Sequence, residues 1–235
     1  PWESFNEVNL DLEWKFGARP FQVKFSPELL RVESTGLQTG CIPMAISDTE
    51  NKGVKASETN RKLAERTRWA GFAVHEIRME WSGQKWPKSL STFGYGRDDC
   101  TVYNYWQPQP PITVSDDACK WLLLKRKGKL LLLLCSWNRK DNRVVIEFDF
   151  DKLGVRPKGA IDVEHPKADA VDDAMEAALA EDDDDGMDLG FEDNAKIAKK
   201  MRDPNGWQGP MKFNAQTGKL SVPLFPYGVR LIRLE

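Results

Sequence analysis

Two strand-length apolar runs flank the dipeptide Lys127-Gly128, and this constrains the fold more than any other stretch. Lys120–Arg126 and Lys129–Trp137 form a hairpin whose two-residue turn is Lys-Gly. Leu122–Leu124 and Leu130–Leu134 are apolar without alternation, which predicts central strands buried on both faces. Asn138–Asn142 reads as the next turn. Arg143–Asp151 follows as a strand with Ile146, Phe148 and Phe150 on one face and Glu147 and Asp149 on the other. Ala160–Glu164, Met211–Phe213, Leu220–Leu224 and Val229–Leu234 are further strands; Gln216-Thr217-Gly218 and Phe225-Pro226-Tyr227-Gly228 are turns. Turn signals at this density predict an antiparallel β-sandwich over residues 111–235.

Residues 1–110 read differently, as mixed α/β. Phe21–Phe25 alternates like a strand, and Ser26-Pro27-Glu28 opens a short helix through Leu30. Residues 34–54 read as loop, and Ser57-Glu58-Thr59-Asn60 opens a helix to about Trp69. Ala70–Ile77 is predicted as a buried strand ending in charged residues, as barrel strands present catalytic groups. Residues 81–111 read as a long loop rich in Trp, Tyr, Gly and Pro. At 235 residues the chain has room for one or two domains. The longest apolar run, Leu130–Cys135, is far short of the roughly 18 residues that span a bilayer, so no membrane span is expected.

The formal charge of −2 conceals two unlike parts. Residues 162–193 hold 14 Asp/Glu and one Lys, a charge of −13; the remainder, with 33 Lys/Arg and 22 Asp/Glu, carries +11. Most of the acidic part lies in an insert at about 165–208, between two strands. The basic residues are scattered, apart from Lys125-Arg126-Lys127 and Lys129 at one hairpin tip. That tip reads as a solvated edge, so nucleic acid is not an expected partner. The four cysteines include no C-x-x-C pair and no nearby His, which argues against zinc; disulfides and buried thiols both stay open.

Several strand ends in the second half carry a shared pattern: Leu131–Asn138 (L-L-L-L-C-S-W-N), Val144–Phe150 with Lys152-Leu153-Gly154, and Ile161-Asp162-Val163-Glu164. Gly218–Leu224 and Tyr227–Ile232 close it. This resembles the C-terminal β-sandwich behind the catalytic (β/α)8 barrel of many glycoside hydrolases. Phe93–Asp98 with Tyr103-Asn104-Tyr105-Trp106, and Val74–Arg78, are most similar to proteins near glycoside hydrolase family 123. The resemblance implies that residues 1–110 are the C-terminal part of a (β/α)8-type catalytic barrel. A full barrel takes about 250 residues, so the catalytic half is expected upstream of Pro1 or on another chain. It also implies a hydrolase of oligo- or polysaccharides, with a non-catalytic carbohydrate-binding or structural module as the alternative. That family uses an adjacent Asp-Glu pair, and this chain contains no Asp-Glu dipeptide.

Glycoside hydrolysis usually needs two carboxyls about 5–10 Å apart, one of them protonated. Glu76 is the leading catalytic candidate and Asp98 the second. His75, Arg78 and Asp99 are candidate substrate contacts, as are the loop aromatics Trp81, Trp86, Tyr95, Tyr105 and Trp106, because sugar C–H faces stack on rings. The competing readings are an ion-pair network for His75, Glu76 and Arg78, turn capping for Asp98 and Asp99, and interface packing for the aromatics. Trp121 and Trp137 are expected in the core. Glu181, Asp183, Asp185 and Glu192 fit the calcium-loop spacing D-x-[DN]-x-[DN]-G-x5-E. Glu at the first position and Asp188 at the eighth count against calcium, and a solvated loop is the default reading.

Overall fold

The computed structural model describes residue 22 and residues 25–35, 44–46, 58–80, 85–164 and 209–235. The elements run α1 (Pro27–Thr35), β1 (Met44–Ile46), α2 (Glu58–Ala73), β2 (Arg78–Glu80), α3 (Lys85–Phe93), β3 (Thr101–Asn104), β4 (Ile112–Val114), β5 (Cys119–Arg126), β6 (Lys129–Ser136) and β7 (Asn142–Phe148). Then come α4 (Phe150–Leu153), β8 (Ala160–Asp162), β9 (Lys212–Asn214), β10 (Lys219–Leu224) and β11 (Val229–Leu234).

The predicted sandwich is present. One antiparallel sheet has the order β3-β5-β6-β11-β8 and the other β4-β7-β10-β9. Lys127 and Gly128 both have positive φ, 48° and 72°, the mirror-image turn whose twist matches the strands it joins. Leu123, Leu130, Leu132, Leu134, Ile146, Val222 and Ile232 meet between the two sheets. Leu122, Leu124, Leu131, Leu133 and Leu231 point the other way, onto Ala70 and Val74 at the end of α2 and Leu90 of α3. Three layers explain the unbroken leucine runs: β5 and β6 lie in the middle layer and bury both faces. Each such leucine contributes roughly 1.5–3 kcal/mol of burial.

The first 110 residues depart from expectation. The stretch Ala70–Ile77 is no strand. Helix α2 continues through Ala73 and ends in paired backbone bonds, Ile77 N–H to Phe72 O and Glu76 N–H to Ala73 O, both 3.0 Å. Glu76 takes the left-handed position of that cap, with φ 57°. Phe72 and Ile77 then pack together in a small cluster with Phe25 and Leu30. An apolar run that closes a helix against a sheet has the same composition as a buried strand, which is why periodicity failed here.

Two expected loops contain regular structure. β1 lies within 34–54, and α3 and β3 lie within 81–111. β1 and β2 pair in parallel across α2, a β-α-β unit. Ser26 caps α1 as expected, its Oγ accepting from the Leu29 N–H at 3.2 Å. Phe150 leaves the strand pattern for α4, a single turn capped by the Asp149 carboxylate and closed by Gly154 at φ 63°. Its ring still stacks on Phe148 at 6.2 Å, so the face is kept while the backbone changes. The predicted strand at Phe21–Phe25 lies mostly outside the described residues.

The two ends of the acidic insert are tied down by two arginines, one buried and one half-buried. Arg230, fully buried, donates from Nη2 to Asp162 at 2.6 Å and from Nη1 to the Gly209 carbonyl at 2.9 Å. Arg66 Nη2 bonds both Glu164 and the Val229 carbonyl. The residues entering and leaving the insert are thereby fixed to β11.

Candidate functional site

The candidates fall into two groups at opposite ends of β3. The first gathers around His75, at the end of α2. His75 is fully buried, so direct substrate contact, one of the sequence expectations, would require it to be uncovered. Its Nδ1 lies 2.6 Å from the Gly71 carbonyl; its Nε2 lies 2.8 Å from Tyr105 Oη and 3.1 Å from the Pro27 carbonyl. The shorter carbonyl contact selects the tautomer: Nδ1–H donates to Gly71 and Nε2 accepts the Tyr105 O–H. Burial holds the imidazole neutral, with its pKa pushed down to about 4, and the same burial pushes the Tyr105 hydroxyl up.

Three rings enclose the imidazole. Trp106 stacks on it at 6.1 Å, while Tyr105 and Trp137 meet it edge-on at 5.5 and 5.8 Å. Trp137 Nε1–H donates to the Phe25 carbonyl at 2.6 Å. Residues from α1, α2 and the sandwich therefore close on one side chain. Tyr105 and Trp106 are half-buried and engaged with one another at 4.8 Å.

Glu76 sits beside this cluster, half-buried, with Oε2 accepting from Asn104 Nδ2 at 2.8 Å. Asn104 in turn donates its backbone N–H to Gln107 Oε1 at 3.1 Å, and its own Oδ1 is a buried acceptor with no partner among the described residues. The sequence reading missed both Asn104 and Gln107. The Tyr-Asn-Tyr-Trp run was visible, but the strand that turns Asn104 toward Glu76 was not.

The second group lies where β3 meets the hairpin tip. Asp99 receives Arg126 Nε on both carboxylate oxygens at 3.0 Å, and that bond holds its carboxyl below the usual range. Arg126 Nη1 also donates to the Phe93 carbonyl at 2.9 Å. A Cβ on Gly94 would stand 2.5 Å from Arg126 Cδ, so glycine makes this close approach possible. Asp99 is thus held by an ion pair with the hairpin and not by capping the backbone of its own turn. Asp98 is exposed in the same turn, and Tyr95 packs on the outer face of the five-stranded sheet.

Glu76 and Asp98 do not come together. Thr101 pairs with Lys125 near the tip and Asn104 with Leu122 away from it. Three strand steps of about 3.3 Å put roughly 10 Å between those ends, and Asp98 lies beyond Thr101. The two candidate carboxyls thus lie at opposite ends of β3 and not side by side.

Arg78 lies in β2 and Trp86 in α3, but their side chains are outside the described residues, as are Trp81 and the calcium-loop residues Glu181, Asp183, Asp185 and Glu192. Among the described residues no group of His, Cys, Asp and Glu is arranged to hold a metal ion. Cys100, Cys119 and Cys135 are thiols. Burial pushes the Cys119 thiol up to about 12 and Cys135 well above its ordinary value, which makes both poor nucleophiles. No helix among the described residues is long and apolar enough to cross a membrane.

Comparison with known proteins adds the family signal. The model of the glycoside hydrolase 123 C-terminal domain matches residues 87–184, from α3 through β8 into the acidic stretch. Among solved structures, the chain is similar to a noncanonic maltogenic alpha-amylase, AmyB from Thermotoga neapolitana, at 9% identity and a TM-score of 0.39. That match covers 98% of this chain and 49% of the amylase, so the chain spans about half of that structure's length. No curated protein matches. The family signal thus rests on residues 87–184, the part of the chain that holds β3 to β8, which is similar to the glycoside hydrolase 123 C-terminal domain.

Proposed function

We propose that this chain is the C-terminal part of a glycoside hydrolase-like protein acting on oligo- or polysaccharides. Its α/β portion is the last segment of a (β/α)8 barrel, and its sandwich is the support behind that barrel. The observation that carries this reading is the match of residues 87–184 to the glycoside hydrolase 123 C-terminal domain. The β-α-β unit formed by β1, α2 and β2 fits it, since barrels are built from such units. Glu76 is the carboxyl we assign to the general acid/base role. It stands at the junction of helix and parallel strand and is oriented by Asn104. Its partner carboxyl comes from the remainder of the parent protein.

The test is hydrolysis of neutral aryl-glycosides and oligosaccharides by the parent protein and by Glu76→Gln. A general acid/base role contributes typically 100-fold or more, so kcat/KM should fall by at least that factor. Turnover unchanged in Glu76→Gln would remove Glu76 from the chemistry. The second reading, a non-catalytic carbohydrate-binding or structural sandwich, is favoured by a specific observation: His75 is buried and Asp99 is occupied by Arg126. It expects oligosaccharide binding with no hydrolysis.

A further inference from the structure

The hairpin end of the sandwich carries a surplus of cations that the sequence reading treated as a plain solvated edge. Gly128 forms the tip, and α4, the loop at 155–159 and the end of β11 gather beside it. A Cβ on Gly154 would lie 3.8 Å from Lys125 Nζ, and both Lys158 and Gly159 N–H groups donate to the Glu235 carbonyl. Four carboxylates at this end are already engaged: Asp99 with Arg126, Asp149 with Lys152, Asp151 with Arg156, and Glu235 with both Lys129 and Arg233; a fifth, the exposed Asp98, stands next to Arg97 in sequence. Lys125, Lys127 and Lys158 remain, and they form no ion pair with any described residue. Lys127 and Lys158 are exposed and Lys125 is half-buried.

Unpaired cations on a solvated rim cost a fold little, and three of them together give this rim a positive face. We propose that this end of the sandwich binds an acidic glycan, through carboxylate or sulfate groups seated on Lys125, Lys127 and Lys158. The choice of a glycan rests on the carbohydrate reading above. Nucleic acid shares the anionic chemistry, and duplex binding is therefore an outcome of the test. The site lies at the opposite end of β3 from Glu76, so it would hold a distant part of a long chain and not the bond being cleaved.

The test is electrophoresis of the whole chain through gels containing polygalacturonate, dextran sulfate or neutral dextran, with a DNA duplex assayed in parallel. Retardation is expected with at least one polyanion at about 20 mM salt, fading by about 200 mM as counterions compete. The anion that retards the chain, carboxylate or sulfate, identifies the ligand chemistry. Lys125→Ser/Lys127→Ser/Lys158→Ser should weaken binding at least tenfold and reduce the salt slope by about two to three. Arg139→Ser/Lys140→Ser, exposed at the other end of β6, should change it less than twofold. Unaltered thermal unfolding of the triple variant checks that it folds. Retardation that survives the triple change, no retardation by either polyanion, or DNA bound as tightly as the better polyanion would each overturn the proposal. Neutral-substrate hydrolysis is independent of all three outcomes, so the two proposals fail separately.

Discussion

The sandwich and the helical layer against it are held by different forces. Between the sheets, Leu123, Leu132, Leu134, Ile146 and Val222 form an apolar interior. The helical layer also buries apolar surface, but named polar bonds fasten it: Arg66 to Glu164, Trp137 to the Phe25 carbonyl, Gln22 to the Tyr227 carbonyl, and His75 to Tyr105. Apolar burial does not depend on protonation, whereas a junction built around a neutral histidine does. The comparison expects two regions with different responses to truncation and to pH.

The largest effect is expected inside the sandwich. Leu132 is fully buried at the centre of β6, so Leu132→Ala loses burial and leaves a cavity, at a cost of about 3–4 kcal/mol. Urea unfolding followed by far-UV circular dichroism measures it. A cost below about 1 kcal/mol would mean that the space between the sheets collapses easily, and the contrast with the helical layer would fail.

Next is the pH response of the junction. An ordinary histidine has a pKa of 6.5, and burial holds His75 at about 4. Between these values the unfolded chain binds a proton that the folded chain refuses. His75 therefore gives its full contribution above pH 6.5, and that contribution is lost as pH falls from 6.5 toward 4. The difference of about 2.5 pK units corresponds to about 3 kcal/mol. His75→Gln removes this titration while keeping a donor and an acceptor. Its stability should change less than the wild type's between pH 7 and pH 4, with tryptophan emission reporting on the Trp106 and Trp137 contacts. Parallel loss in both proteins would show that carboxylates elsewhere govern the acid response.

How far the sequence revealed each region follows from the same contrast. Period-two alternation and turn residues report on strands through their own local chemistry, so β5, β6, β10 and β11 came out within a residue or two. The leucine runs even disclosed that β5 and β6 are covered twice. The helical layer depends on pairings distant in sequence, and local pattern misleads there: Ala70–Ile77 has a strand's composition and a helix cap's geometry. The site was legible only in residue types. His75, Glu76, Tyr105 and Trp106 were selected and do lie near one another, yet the bond from Asn104 that orients Glu76 depends on the position of β3. Arg230 stood in the closing strand pattern, but its role was not legible, because a single Arg in an apolar strand reads as a surface position until Asp162 is seen opposite it.

The smallest effect belongs to the outer face of the four-stranded sheet, and it bounds the comparison from below. Lys219 and Glu147 lie opposite one another on β10 and β7, with Nζ 2.7 Å from Oε1 and both side chains about half exposed. Both ends are hydrated and mobile, so ordering them offsets most of the Coulomb gain. A double-mutant cycle of Glu147→Gln and Lys219→Gln should return a coupling below about 0.5 kcal/mol, smaller still in high salt. The lysines at the hairpin end face similar solvent. A pair that contributes so little when satisfied implies that leaving Lys125, Lys127 and Lys158 without carboxylates costs the fold almost nothing. Unpaired cations can therefore be kept at that rim without loss of stability. A coupling above 1 kcal/mol would contradict this and make those lysines a real penalty for the fold.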